Sequence, residues 1–132
     1  MVGDDRFNLA LDHFARALGR LHEVLAQPET DFMRDAIIQR FEFTFEAGWK
    51  AMYRWLRSRG VDVDEDAFST IPESFKRRLI TDAAVWGEMR KYRNLTSHTY
   101  NEPLAIEVVA FVRVDGLAAL DSVLQALKDR AP

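Results

Sequence analysis

The sequence predicts an all-α fold, an up-and-down four-helix bundle with one additional short helix. Two observations carry this expectation. Apolar side chains recur every three or four residues over long stretches that end at Pro, Gly or acidic breaks, which is the period of a helix with one buried face. The alternation expected of a strand is confined to Val61–Val63, too short a run to compete.

Each element follows from its own signals. Phe7, Leu11, Phe14, Leu18, Leu21 and Leu25 line one face of a first helix that begins near Asp4 or Asp5 and ends before Pro28; an acidic start suits the positive end of the helix dipole. Thr30 or Asp31 opens a second helix that runs to Arg59, where Gly60 offers a left-handed stop. With Ile38, Phe41, Phe45, Trp49, Met52 and Leu56 on its inner stripe it is the longest element, roughly 42 Å at about 1.5 Å per residue. Residues 61–69 are acidic and lack helical periodicity, so they read as the main loop. Thr70-Ile71-Pro72-Glu73 has the spacing of a capping box with proline in the first turn, which opens a short helix carrying Phe75 and Leu79. Thr81 or Asp82 caps the next helix, with Val85, Met89 and Tyr92 inward and an end around Ser97 or His98. Asn101-Glu102-Pro103 restarts the chain in a last helix from about Pro103 to Lys128, buried through Leu104, Val108, Phe111, Leu120, Val123, Leu124 and Leu127. With no internal repeat or low-complexity linker, residues 1–132 read as one helical domain.

Composition narrows the function. At 48% hydrophobic the 132-residue chain can build a core without staples, and with no cysteine it has neither disulfides nor a thiolate zinc site. No apolar run approaches the roughly 18 residues that span a bilayer, and the charged start Met1–Arg6 is unlike a signal sequence, so a soluble cytoplasmic protein with no membrane partner is expected. A net charge of −3 argues against a generic nucleic-acid coat. Between residues 76 and 93, however, Lys76, Arg77, Arg78, Arg90, Lys91 and Arg93 outnumber Asp82 and Glu88, which predicts a local basic surface.

That surface leads into the most informative stretch, Arg93-Asn94-Leu95-Thr96-Ser97-His98-Thr99-Tyr100. A guanidinium binds phosphate oxygens in a fixed fork, and an imidazole moves protons near neutral pH; together they suggest chemistry on a phosphodiester. On a regular helix Asn94 and His98 lie about 40° apart and Arg93 and Tyr100 about 20°, but Arg93 and His98 about 140°. The two meet only if the helix frays near Ser97, or if two copies of the chain each supply part of one site. Taken from spacing alone, the alternative is that Arg93 and His98 cap carbonyls or pair with carboxylates, and that Tyr100 is a half-buried aromatic with a wet hydroxyl. Glu46 is open between a surface pair with Lys50, four residues on, and a role in a polar cleft; Trp49 falls on the apolar stripe. The six glycines form no phosphate-binding loop, and the three histidines no metal cluster, so no metal and no cofactor are expected.

The string Arg34-Asp35-Ala36-Ile37-Ile38-Gln39-Arg40-Phe41-Glu42-Phe43-Thr44-Phe45-Glu46-Ala47-Gly48-Trp49-Lys50, followed by Trp86 and the Arg93–Tyr100 motif, resembles the HepT-like branch of the HEPN proteins, often described as nucleotidyltransferase substrate-binding proteins. The resemblance spans about Asn8 to Leu127. It implies a helical homodimer, with pairing into a higher oligomer left open, that works beside a small, separately encoded nucleotidyltransferase. It further implies a toxin ribonuclease cleaving RNA without metal, with Arg93 and His98 as catalytic residues and Arg93, Asn94 and Tyr100 binding RNA or nucleotide. Tyr100 is then where the partner enzyme attaches AMP and silences the toxin. The alternative within the resemblance is a non-catalytic subunit that presents a nucleotide or substrate to the transferase. Asp62-Val63-Asp64 has the two carboxylates of a transferase site but no Gly-Ser turn before it and no supporting sheet, so the chain is not the transferase itself.

Overall fold

The computed structural model describes residues 2–132, and every regular element in it is helical. The order is α1 (Val2–Leu25), α2 (Asp31–Ser58), α3 (Ala67–Lys76), α4 (Ala83–Leu95), a 3-10 turn (Thr96–His98), α5 (Glu102–Phe111), a π turn (Val112–Gly116) and α6 (Leu117–Asp129). α1 and α2 pack along their length as an antiparallel pair, and α5 and α6 close the bundle against α2.

Helix α2 is the centre of the core because it buries more than one stripe. Ile38, Phe41, Phe45, Trp49, Met52 and Leu56 are all buried as the periodicity predicts, and Ile37, Ala51 and Trp55 join them from the adjoining face. Phe7, Phe14, Leu18 and Leu21 of α1 meet that surface, while Leu11 and Leu25 are only partly covered. Thr44, polar and fully buried, donates its hydroxyl to the Arg40 carbonyl at 2.7 Å, so its hydroxyl is not stranded in the core. The ends of α2 are those the sequence marks: the Thr30 side chain accepts from the Met33 N–H at 3.1 Å, and Gly60, at φ 77°, closes the helix through Gly60 N–H to Arg57 and Val61 N–H to Leu56.

Two expectations need correction. The short helix starts at Ala67, not at Thr70, because Asp66 provides a better cap: its carboxylate accepts from the Ser69 N–H at 2.6 Å. Thr70 is consequently buried inside the helix, Pro72 sits in its interior, Phe75 points to solvent, and Leu79 is buried only after the chain has left the helix. That exit turns at Arg78, whose φ of 60° is left-handed, with Leu79 N–H closing on the Ser74 carbonyl at 2.9 Å. The last helix is also not continuous. Its π turn shifts the register by a fraction of a turn, so the stripe of Val108, Val109 and Val112 continues into Leu120, Val123 and Leu127. Phe111 folds over Gly116, where any Cβ would stand 3.1 Å from the ring, and stacks on Tyr92 at 4.7 Å.

Candidate functional site

The Arg93–Tyr100 segment leaves α4 where Asp82, its cap, has already fixed the helix's direction, and where buried Trp86, Met89 and Tyr92 hold it against the core. Thr96 ends the helix: its hydroxyl donates to the Arg93 carbonyl at 2.7 Å and in turn accepts from Arg93 Nη1 at 3.3 Å. Thr99 then donates to the Thr96 carbonyl at 2.9 Å, and the Asn101 side chain caps α5 through the Leu104 N–H. The segment is therefore a sequence of caps, which fixes its backbone while leaving the side chains between them free.

Those side chains divide into two groups. Arg93 lies against α2, with Nη1 3.6 Å from Glu42 and Nε 3.5 Å from Glu46, and its buried Nε makes no hydrogen bond. The second oxygen of Glu46 accepts from the Trp49 indole N–H at 2.9 Å. Lys50 lies over the Trp49 ring at 5.9 Å and forms no ion pair with Glu46. On the other side of the turn His98 and Tyr100 are both exposed, with ring centroids 6.2 Å apart in an edge-on arrangement; Asn94 is exposed as well. Among the described residues, no hydrogen bond or ion pair joins Arg93 to His98. The helix frays where expected, but a 3-10 turn winds by about 120° per residue, so the fray adds to the angle between the two side chains instead of closing it.

Arg34, part of the α2 string but given no role by its spacing, is the residue that sequence reasoning missed. With Asp31, Asp35, Thr99, Tyr100 and Glu102 it surrounds a hollow of about 240 Å³. Its guanidinium is largely buried and pairs with Glu29 at 3.2 Å, Glu102 at 3.5 Å and Asp31. The signal was present, since Asp31 lies one turn earlier, but nothing in the sequence brings Tyr100 to the start of α2. The basic residues of 76–93 do not gather at this site: Lys76 and Arg77 pair with Glu73, and Arg90 covers Phe68. Below the motif, burial first and the Glu107 carboxylate second push the Tyr92 phenol above its usual value; its hydroxyl donates to Glu107 at 3.2 Å.

Comparison with known proteins agrees with this architecture. Residues 9–129 match the family model for nucleotidyltransferase substrate binding protein like proteins. The chain is 34% identical over 97 residues to a Haemophilus influenzae strain Rd protein named "Probable ribonuclease HepT", covering 70% of this chain and 66% of that protein's length. A crystal structure of a Thermus thermophilus protein matches with a TM-score of 0.79 at 35% identity, over 87% of this chain and 98% of that one. A second structure, from Haemophilus influenzae and reported to reveal the fold of a substrate binding domain of a nucleotidyltransferase, matches with a TM-score of 0.68 at 26% identity, over 95% and 98%. No helix among the described residues is long and apolar enough to cross a membrane. With the family model covering nearly its whole length and the helical fold in agreement, this chain belongs to the nucleotidyltransferase substrate-binding-protein-like family.

Proposed function

We propose that this protein is a homodimeric, metal-independent ribonuclease toxin whose partner, a separately encoded small nucleotidyltransferase, silences it by transferring AMP to Tyr100. The observation that carries this reading is the placement of Tyr100: 87% exposed, on a capped turn, with its ring edge-on to His98. A modifying enzyme has free access to such a hydroxyl, and an AMP attached there stands over the imidazole. The added phosphate also competes with RNA for cations near the turn.

In the cleavage step the 2′-hydroxyl attacks the adjacent phosphorus, the bond to the 5′-oxygen breaks, and a 2′,3′-cyclic phosphate forms. DNA lacks that hydroxyl and is spared. His98 moves a proton, from the attacking hydroxyl or to the departing oxygen, an effect typically of about 10²- to 10⁴-fold. Arg93 binds the phosphate and stabilises the charge that develops on its oxygens, and Asn94 orients His98 or the phosphate. Because Arg93 and His98 are separated within one chain, the reading assigns each site to two copies, one giving the guanidinium and the other the imidazole. Purified protein incubated with RNA and a chelator should yield cyclic ends, and His98→Ala should abolish them; equal cleavage by that variant would remove His98 from the mechanism.

One observation favours a second reading. Glu42 and Glu46 already flank the Arg93 cation, an arrangement that suits a subunit that binds a nucleotide or substrate for the transferase without cleaving RNA. Calorimetric titration separates the two: that subunit binds nucleotide through the motif, loses affinity in His98→Ala, and leaves RNA intact.

A further inference from the structure

Two hollows lie along the seam of α1 and α2. One, of about 450 Å³, and a second, of about 420 Å³, adjoin at His13 and Phe43, which line both, as two halves of a groove along the seam. Along α2 it runs from Ala36 to Arg54, roughly 27 Å at about 1.5 Å per residue. Ala10, Ala17, Ala36 and Ala47 are among its lining residues, and Phe43, 59% exposed, stands where the two hollows meet.

The lining of this groove is basic. Six Arg and Lys side chains line it against two carboxylates, Glu46 and Glu65, in a protein whose net charge is −3. Part of that charge is used internally: Arg54 pairs with Glu65 at 3.2 Å, Arg16 with Asp12 at 3.0 Å, and Arg40 with Glu23 at 3.7 Å while also donating to the Arg20 carbonyl at 2.7 Å. Arg6, Arg20 and Lys50 are exposed and, among the described residues, have no carboxylate partner. Cations spaced along a groove on both sides of an exposed aromatic ring are what a single strand requires: phosphates on the cations, a base on the ring. An amphipathic protein helix requires instead an unbroken apolar trough, which Phe43 interrupts.

We infer that the α1/α2 groove binds single-stranded RNA, with Arg6, Arg20 and Lys50 on phosphates and Phe43 stacking on a base, and leads the strand toward Arg93. Glu46 makes the connection, since it lines the groove and faces Arg93 at 3.5 Å. The inference rests on the ribonuclease reading for the identity of the strand. About 27 Å accommodates the short end of single-strand sites, which take about 4 to 16 nucleotides in other folds.

The test uses a fluorescent 2′-O-methyl oligonucleotide, which cannot be cleaved, and reads anisotropy over a salt series. Wild-type protein should bind it. The Arg20→Ala/Lys50→Ala double variant should bind on the order of tenfold more weakly near 0.1 M salt, with the slope of log affinity against log salt reduced by about 1.4. Phe43→Ala should weaken binding about fivefold or more with the slope unchanged. All three positions are exposed, and circular dichroism melts matching wild type will show that the variants fold. Unchanged binding by both variants, or no binding by wild type, overturns the proposal. Because the strand resists cleavage, this outcome is independent of His98. Groove-dependent binding without RNA cleavage would overturn the ribonuclease reading alone, whereas cleavage with indifferent groove variants would overturn the groove alone.

Discussion

Glu46 faces Arg93 with one carboxylate oxygen, 3.5 Å from Nε, and holds the Trp49 indole with the other at 2.9 Å. A residue on the apolar stripe of α2 thereby fixes the carboxylate that orients the cation of the motif. Glu46→Gln keeps an acceptor for the indole and removes only the charge, so stability should change by less than about 1 kcal/mol, as for other partly exposed ion pairs. Glu46→Ala strands the indole N–H and should cost about 1–3 kcal/mol. In the proposed ribonuclease, single-turnover RNA cleavage should fall on the order of tenfold in Glu46→Gln, because a misplaced guanidinium would lose the phosphate geometry. Wild-type rates in that variant would deny Glu46 an orienting role.

Gly48 lies in the middle of α2, where glycine costs helix stability, and packing explains its presence: a Cβ there would sit 3.1 Å from Cε1 of the fully buried Phe14 of α1. Gly48→Val should destabilise by about 1–3 kcal/mol through overpacking. Urea denaturation checks it, and a neutral result would show that Phe14 can move aside.

Tyr100 makes no contribution to the core, since its ring is 87% exposed. Tyr100→Phe should therefore melt within about 0.5 kcal/mol of wild type. On co-expression with the proposed nucleotidyltransferase partner, intact-mass analysis should find one AMP on wild type and none on Tyr100→Phe. An AMP still present on the variant would move the modification elsewhere.

Tyr92 carries the pH dependence. Its folded pKa is raised above the ordinary 10.0, mainly by burial and further by Glu107, so the neutral phenol is favoured in the folded state. This stabilisation is fully present below the unfolded value of 10.0 and is lost as pH rises through the folded value. Denaturation midpoints followed upward from about pH 8 should show a steeper alkaline loss for wild type than for Tyr92→Phe. Parallel curves would contradict the assignment.

What the sequence revealed depended on whether the deciding interaction was local. Both ends of α2 were legible because Thr30 and Gly60 act on backbone groups close to them in the chain. The start of α3 was not, because two cap signals compete over residues 66–73 and Asp66 lies inside an acidic run that reads as loop. The π turn was invisible, since apolar residues before and after it keep helical spacing and only the fit of Phe111 over Gly116 reveals the extra residue. The motif could be read as a string, but its partners Glu42, Arg34 and Glu102 come from other helices. The α1/α2 groove depends on cations from two helices with no sequence neighbourhood in common.

In the proposed ribonuclease, Arg93 of one copy and His98 of another act on one phosphodiester. Mixing Arg93→Ala protein with His98→Ala protein, each inactive alone, tests this most directly. After subunit exchange about half of the dimers are mixed, and each carries one intact site, so RNA cleavage with chelator present should return to about a quarter of the wild-type rate. A mixture as inactive as its two components would contradict the shared site.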